Sequence, residues 1–520
     1  MIFTRRLKTH ITQLPELSNH LIIPPSSSSS SSSSIPPSAL LPPSSEIDRI
    51  AKLINDHPFP ASPLHPLLHH HLIHLNLLST PLVESVLGRL FSGHANGLKA
   101  LELFKFSLQY PTHLSPSPDS FEKTLHIITR MHEFDKAWEL MREIHLKHPW
   151  LITNKALSIV LSKYAKFQSF EDTLEVFDEM EKLLVGRRFG VDEFNILLRA
   201  FCTQRQMKEA RAVFRKLHSR FSPNTQTLNI LLLGFKESGD ITSVELFYHE
   251  MMRRGFKPNV ITYNIRIDAY CKKGCLSDAL RIMEEMEGAS FSPTLETITT
   301  LIHGAGIARN PIRARRLFDE IPMRNLRADV GAYNALMGSL FRARDLKGGL
   351  DLMDEMEEKG IGHDNVTYHT MFLGLKNSDG VGDVCELYRR MVKKDFVPKM
   401  RTVVMLMKFF CENQLLDLGL DLWDYMVGKG CCPHGHALDL LVTALCCRGK
   451  VEEAYRCMKQ VVARGRHPSE EGFRVLEGFL VRSGEREKLE ELDQMMKRLQ
   501  AVLPPSRGHA VSLSVAISMI

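Results

Sequence analysis

Residues 259–264 read Asn-Val-Ile-Thr-Tyr-Asn, residues 329–334 read Asp-Val-Gly-Ala-Tyr-Asn, and residues 364–369 read Asp-Asn-Val-Thr-Tyr-His. They stand 70 and 35 residues apart, and a fixed period of that size marks a repeat architecture. Units begin at Thr225, Val260, Leu295, Val330, Asn365, Met400, Gly435 and Glu470, each 35 residues after the last. Toward the N-terminus the period loosens, and Val191, Asn154, Pro118 and Pro81 head units of 34 to 37 residues. About twelve units cover residues 81–500.

Each unit carries the pattern of two short helices. In residues 260–294, Tyr263, Ile267, Tyr270 and Cys271 fall on one face at helical spacing. Lys273-Gly274 ends that helix, because glycine tolerates the left-handed turn that follows. Leu276, Ala279, Leu280, Met283 and Met286 form the apolar face of a second helix, and Pro293 closes the unit. The glycine register recurs at Gly239, Gly449 and Gly484, and the proline register at Pro258, Pro398, Pro433 and Pro468. A small residue recurs in the second helix at Ala100, Ala137, Ala210, Ala279, Ala314, Gly349, Gly419 and Ala454, where two helices must approach closely. Met251, Met286, Met356, Met391, Met426 and Met496 share a register, as do Cys202, Cys271, Cys411 and Cys446, and both stripes read as core. Helices this short are unstable alone, so the units must stack. The expected fold is an all-α solenoid.

Composition is permissive rather than decisive. The 520 residues carry a net charge of +6, which allows a polyanionic partner without requiring one. No apolar run is long enough for a transmembrane helix. The ten cysteines include no C-x-x-C pair, so neither a zinc site nor a disulfide framework is expected. Before residue 46, Arg5, Arg6 and Lys8 face a single acid, Glu16, and nine serines run from Ser26 to Ser34. Basic, serine-rich and acid-poor composition suits an organellar transit peptide over residues 1–45, with an unaddressed tail as the alternative. Residues 46–80 then form a linker and helical lead-in, and residues 501–520 a C-terminal tail. His65, His69, His70, His71 and His74 cluster in the lead-in; they read as linker or helix residues in preference to a metal tract. Neither a phosphate loop of the G-x-x-x-x-G-K-[ST] type nor a zinc deaminase signature occurs, so no catalytic residue, metal or cofactor is expected.

Val-Ile-Thr-Tyr-Asn (260–264), Ala-Tyr-Cys-Lys-Lys-Gly (269–274) and Met-Arg-Arg-Gly-Phe-Lys-Pro-Asn (252–259) closely resemble the pentatricopeptide repeat family, in its plain P-type form found in plant organelles. The resemblance covers most of the chain, and the Trp-x-x-Leu-Gly-x-x-Tyr pattern of tetratricopeptide repeats is absent. It implies a right-handed superhelix that binds single-stranded RNA, one base per unit. It further implies that the fifth and last residues of a unit read the base. The pairs here are Asn195 with Asn224, Asn229 with Asn259, Asn264 with Thr294, Thr299 with Asp329, and Asn334 with Asp364. An ionised Asp only accepts hydrogen bonds and suits a ring N–H, whereas an Asn amide offers donors to a ring nitrogen. The competing reading is that these residues merely cap helices. Elsewhere the pairs resist decoding: His369 with Lys399, Val404 with His434, Asp439 with Ser469, and the units holding Ser85, Glu122 and Ser158. The base-sandwiching position is aliphatic at Ile261 and Val366 but not at Glu296 or Gly331. The resemblance implies mitochondrial RNA processing, such as intron splicing or transcript stabilisation, with the chloroplast as the alternative compartment. Other RNA-processing proteins are possible partners under the same resemblance. A protein-interaction scaffold is the rival function.

Overall fold

The computed structural model describes residues 43–502 except 60–61, 75–76, 94–95, 111–115, 185–187, 378–379 and 432–434. Residues 1–42 of the expected transit peptide, His434, Pro433 and residues 503–520 lie outside the described residues, and the last residues of that peptide, Ser44 and Ser45, already belong to the first helix. Twelve helical hairpins follow one another, preceded by a helix at Ser44–Asp56 and a short helical segment from His65 to Ile73. The first helices of units 1 to 12 begin at Thr80, Pro118, Asn154, Val191, Thr225, Val260, Leu295, Val330, Asn365, Met400, Gly435 and Glu470. Most helices in the array are 13 residues long, too short to persist without neighbours.

Stacking supplies those neighbours. The first helix of every unit packs on the first helix of the next, whereas adjacent second helices pack on one another substantially only in the last two units. The array is thus drawn together along its first-helix side, which makes that side the inner layer. The small-residue register lies at the closest approach: Ala137, Ala210, Ala279, Ala314 and Ala454 are buried, and a Cβ on Gly349 would sit 2.6 Å from the Phe341 ring. Met251, Met286, Met356, Met391 and Met426 are buried as core residues, whereas Met496, in the last described helix, is only half-buried. The aligned cysteines hold the seam between first helices. A Cβ on Gly304 would collide with the Cys271 side chain, and one on Gly234 would reach Cys202 Sγ at 2.8 Å. Burial pushes the Cys202 thiol up to about 12 and those of Cys411 and Cys446 to about 11, so none is a thiolate near neutral pH.

The array also closes on itself, at contacts between residues more than 360 positions apart. The Ser44–Asp56 helix packs against the second helix of unit 10 (Leu416–Gly428). Asp48, nearly fully buried, lies between Arg89 Nη2 at 2.6 Å and Lys429 Nζ at 2.9 Å. Asn55 Nδ2 donates to the Gly430 carbonyl, and Asn96 Nδ2 donates to the Gly465 carbonyl at 3.1 Å. Arg464 Nε and Nη2 donate to Asp56 Oδ1 at 2.9 and 2.6 Å. The buried Arg464 guanidinium, deprived of this carboxylate, would be a strongly destabilising uncompensated charge. The histidines of the lead-in pack on unit 1: His65 bonds Gln109 Oε1 at 3.0 Å and stacks edge-on against Phe106.

The turn inside each hairpin demands a left-handed residue whatever the sequence provides. Gly239, Gly274, Gly449 and Gly484 occupy it with φ of 73° to 79°, but so do His132, Arg205, Arg309, Arg344 and Gln414 with φ of 54° to 64°. Arg309 and Arg344 are exposed, and their side chains make no hydrogen bond or ion pair among the described residues. Glycine there removes the Cβ strain and loses part of the gain to unfolded-state entropy. Replacing either arginine by glycine is therefore expected to stabilise the array by roughly 0.5–1 kcal/mol. Chemical denaturation of Arg309→Gly and Arg344→Gly checks this, and a drop in midpoint contradicts it.

Candidate nucleic-acid interface

The fifth residue of each unit lies one turn into the first helix, and the last residue immediately precedes the next first helix. Stacking brings the two together across the unit boundary. Asn229 Nδ2 donates to Asn259 Oδ1 at 3.2 Å, and Asn334 Nδ2 donates to Asp364 Oδ1 at 3.1 Å. Asn264 is joined to Thr294 indirectly, because Thr297 Oγ1 donates to Asn264 Oδ1 at 2.8 Å and also bonds Thr294 Oγ1 at 3.1 Å. Asn195 with Asn224 and Thr299 with Asp329 make no direct bond. In the undecoded units, Ser469 Oγ donates to Asp439 Oδ1 at 2.6 Å, and His369 Nδ1 meets Thr402 Oγ1 at 3.1 Å. Burial and the nearby Arg401 charge push the His369 imidazole down to about 4, so it is neutral near pH 7.

Every last residue of the five decoded pairs caps the following helix. Asn224 Oδ1 accepts from the Thr227 N–H at 2.9 Å, Asn259 Oδ1 from Thr262 at 3.0 Å, and Thr294 Oγ1 from Thr297 at 3.3 Å. Asp329 Oδ1 accepts from Ala332 at 2.9 Å and Asp364 Oδ1 from Thr367 at 2.8 Å. Capping and reading are therefore not alternatives. The backbone N–H can only be met by an oxygen, so the cap holds an Asn amide with its NH₂ turned away as a donor. In an Asp the same geometry leaves Oδ2 as an acceptor. Asn224, Thr294, Asp329 and Asp364 are exposed, and Asn259 is half-buried.

The fifth residues behave differently. Asn195, Asn229 and Asn334 are buried, with exposures of 3%, 5% and 8%. Both polar atoms of the Asn195 side chain, Asn334 Oδ1 and Thr299 Oγ1 are buried without a protein partner. Leaving a polar atom so placed costs about 1–3 kcal/mol each, so these are hydrogen bonds the free protein lacks. Sequence reasoning missed the threonines that brace the pairs. Thr262 and Thr297, fully buried, donate to Asn229 Oδ1 and Asn264 Oδ1, both at 2.8 Å. Their signal was a threonine at the third position of units 5, 6, 7, 9 and 10 (Thr227, Thr262, Thr297, Thr367, Thr402). Between the pairs, Ile261 and Val366 are unusually open for aliphatic residues, with 43% and 38% exposure. In unit 2 the fifth residue is already committed, since Glu122 accepts from Thr153 Oγ1 at 2.5 Å and lies 2.6 Å from Lys155 Nζ.

A stack of helical hairpins that sets a capping polar side chain beside a polar fifth residue at each boundary from unit 4 to unit 9 defines a helical-repeat protein with a modular polar face. Models of the pentatricopeptide repeat match residues 156–183, 194–220, 223–272, 258–306, 328–377 and 439–466. A pentatricopeptide repeat-containing protein of Arabidopsis thaliana is 55% identical over 463 residues, spanning 89% of this chain and 93% of that one. The chain belongs to the pentatricopeptide repeat family. A mitochondrial pentatricopeptide repeat-containing protein of the same plant is 27% identical over 352 residues, 67% of this chain and 61% of its own. Among solved structures, the maize pentatricopeptide repeat protein PPR10 aligns over 86% of this chain and 62% of its own, with 20% identity and a TM-score of 0.36.

The caps give a prediction independent of any ligand. Asp329→Ala removes an oxygen from a helix N-terminus and should cost about 1 kcal/mol of stability. Asp329→Asn keeps a capping oxygen and should leave the thermal midpoint essentially unchanged. Equal losses in both variants would mean that Asp329 stabilises the chain through something other than its cap.

Proposed function

We propose that the chain binds single-stranded RNA along its inner face and reads it one base per unit through units 4 to 8. One observation carries this reading: Asn224, Asn259, Asp329 and Asp364, each capping a helix through one oxygen, present their second polar atom with a fixed hydrogen-bonding sense beside a fifth residue, and three of the fifth residues have polar atoms still unpaired. A base edge in the groove would complete those bonds. The open aliphatic side chains of Ile261 and Val366 offer flat apolar surface against which bases can stack. As in the plain P-type pattern, Asn195/Asn224, Asn229/Asn259 and Asn264/Thr294 read pyrimidines, Thr299/Asp329 reads G and Asn334/Asp364 reads U. With the first unit toward the 5′ end, the core is three pyrimidines followed by G and U.

Binding of this kind acts by holding a transcript extended, so that a competing fold or a nuclease is excluded or a splicing partner admitted. The decisive test exchanges the sense of one free atom. Asp329→Asn turns an acceptor for the guanine ring N–H into a donor suited to adenine. A wrong base at one position typically costs about 1–3 kcal/mol in DNA readers, and that scale is applied here to RNA. Affinity for the G-containing oligonucleotide should fall about fivefold or more, and the A-containing variant should gain. Unchanged binding to both would leave Asp329 as a cap alone. A groove for protein segments would show itself by affinity insensitive to salt, whereas phosphate contacts weaken steeply with it.

The compartment we propose is the mitochondrion, on the composition of residues 1–45 and the mitochondrial designation of a relative. Residues 1–45 fused to a fluorescent protein should carry it there. A purely cytosolic or chloroplast signal refutes the assignment.

A further inference from the structure

Units 2, 3 and 4 carry cations that the protein itself does not neutralise. Their first helices, Pro118–Arg130, Asn154–Phe167 and Val191–Thr203, pack in succession. Arg199 lies one turn beyond Asn195 and Arg130 two turns beyond Glu122, continuing the face that holds the fifth residues. Lys163 is five residues beyond Ser158, about 140° round its helix, and joins the other two through its charge, which is felt at His126 and is itself opposed by Arg130. All three are half-buried, and none has a carboxylate partner among the described residues. Arg130 donates only to the Phe91 carbonyl, at 2.9 Å, and lies 5.3 Å from the centre of the Phe91 ring.

The neighbouring charges are mostly of the same sign. Burial, then Lys166 and Arg130, push the Lys163 ammonium down to about 8. Burial and the charge of Arg466, brought round from unit 11 by closure of the array, push Arg130 down to about 10. Burial lowers Arg199 as well, and His126 between these residues is held near 4 by burial and by Lys163. Lys155, also near, is paired with Glu122. The contrast with the next units is direct. Lys236 there is almost fully buried, but Asp268 Oδ2 lies 2.6 Å and Glu237 Oε1 3.0 Å from its ammonium. Lys272 is likewise paired with Glu237 at 3.2 Å. Partly desolvated cations without counter-charges are costly to hold, and in a groove they mark a place for an anion.

We propose that units 2 to 4 anchor the RNA by its phosphates, through Arg130, Lys163 and Arg199, with no base read in units 2 and 3. The proposal rests on the RNA-binding reading above and deepens it. It divides the groove into an anchoring segment and a reading segment that meet in unit 4, where Asn195 and Arg199 share a helix. It also accounts for unit 2, whose fifth residue is locked in an ion pair. The anchored nucleotides lie on the 5′ side of the five-base core.

The experiment uses the full chain and three oligonucleotides: the core alone, the core with three abasic nucleotides on its 5′ side, and the core with the same extension on its 3′ side. The 5′ extension should tighten binding and the 3′ extension should do so less. In Arg130→Gln/Lys163→Gln/Arg199→Gln the 5′ gain should vanish while preference for the core persists. The slope of log affinity against log salt should become shallower by about 2, three contacts at roughly 0.7 each. Lys208→Gln/Arg215→Gln/Lys216→Gln, which removes as much charge from the second helix of unit 4, should keep the 5′ gain. Binding of the core with no advantage from the 5′ abasic extension overturns the anchoring proposal in wild type alone, whatever the folding of the variants. Failure to bind the core at all sinks the base-reading assignment instead.

Discussion

The hydrogen bond from a backbone N–H near the start of a first helix to the last side chain of the preceding unit, made at the heads of units 5 to 9, ties the fold to the proposed base reading. A short helix leaves its first N–H groups without partners, and at each boundary of the central array a neighbouring oxygen meets one of them. That bond fixes the joint between hairpins. It also orients the capping side chain, so an Asn always turns its amide donor outward and an Asp its second carboxylate oxygen. In the proposed reading, recognition chemistry is thereby set by a structural requirement of the helix terminus. A side chain held in this way has little freedom left to lose on binding a partner.

Packing between first helices supplies the other half of the proposed recognition face. Because these helices crowd together while the second helices stand apart, the fifth residues are pressed into the seam and largely hidden. Thr262 and Thr297 brace two of them, whereas Asn195 has no protein partner for either polar atom. The seam is narrow enough that glycine is needed where Cys271 and Phe341 cross it, at Gly304 and Gly374. The proposed readout thus rests on an apolar seam whose width is set by residues such as Cys271, Gly304, Phe341 and Gly374, none of them a proposed reader.

Charge is distributed along the same face with a clear asymmetry. The central units neutralise their buried cations internally, as Lys236 and Arg266 do with Asp268 and with Glu245 and Glu285. Units 2 to 4 do not. Closure of the array then brings Arg466 into the field of Arg130, which concentrates positive potential where the N-terminal units meet unit 11. The contacts that make this closure are polar and charged, and the Asp48 and Asp56 carboxylates bind cations from distant units.

The sequence by itself determined the repeat, the two-helix unit and the all-α solenoid, since a 35-residue period and helical spacing of Tyr263, Ile267 and Cys271 are local facts that stacking only multiplies. The positions of the ten candidate readers came from resemblance, and their donor or acceptor sense could be named from residue type. What the sequence left open was whether Asp329 and its counterparts cap or read, because both roles ask for the same residues at the same place. Only the tertiary structure decided that in the Asn and Asp residues one oxygen caps while the other polar atom stays free. Only the tertiary structure, too, revealed the closing contacts of Asp48, Asn55 and Asp56 and the lack of counter-charges around Arg130, Lys163 and Arg199. The physical reason is the same in each case. Periodicity is written into every unit, but burial, counter-charge and closure depend on which side chains distant units bring to one place.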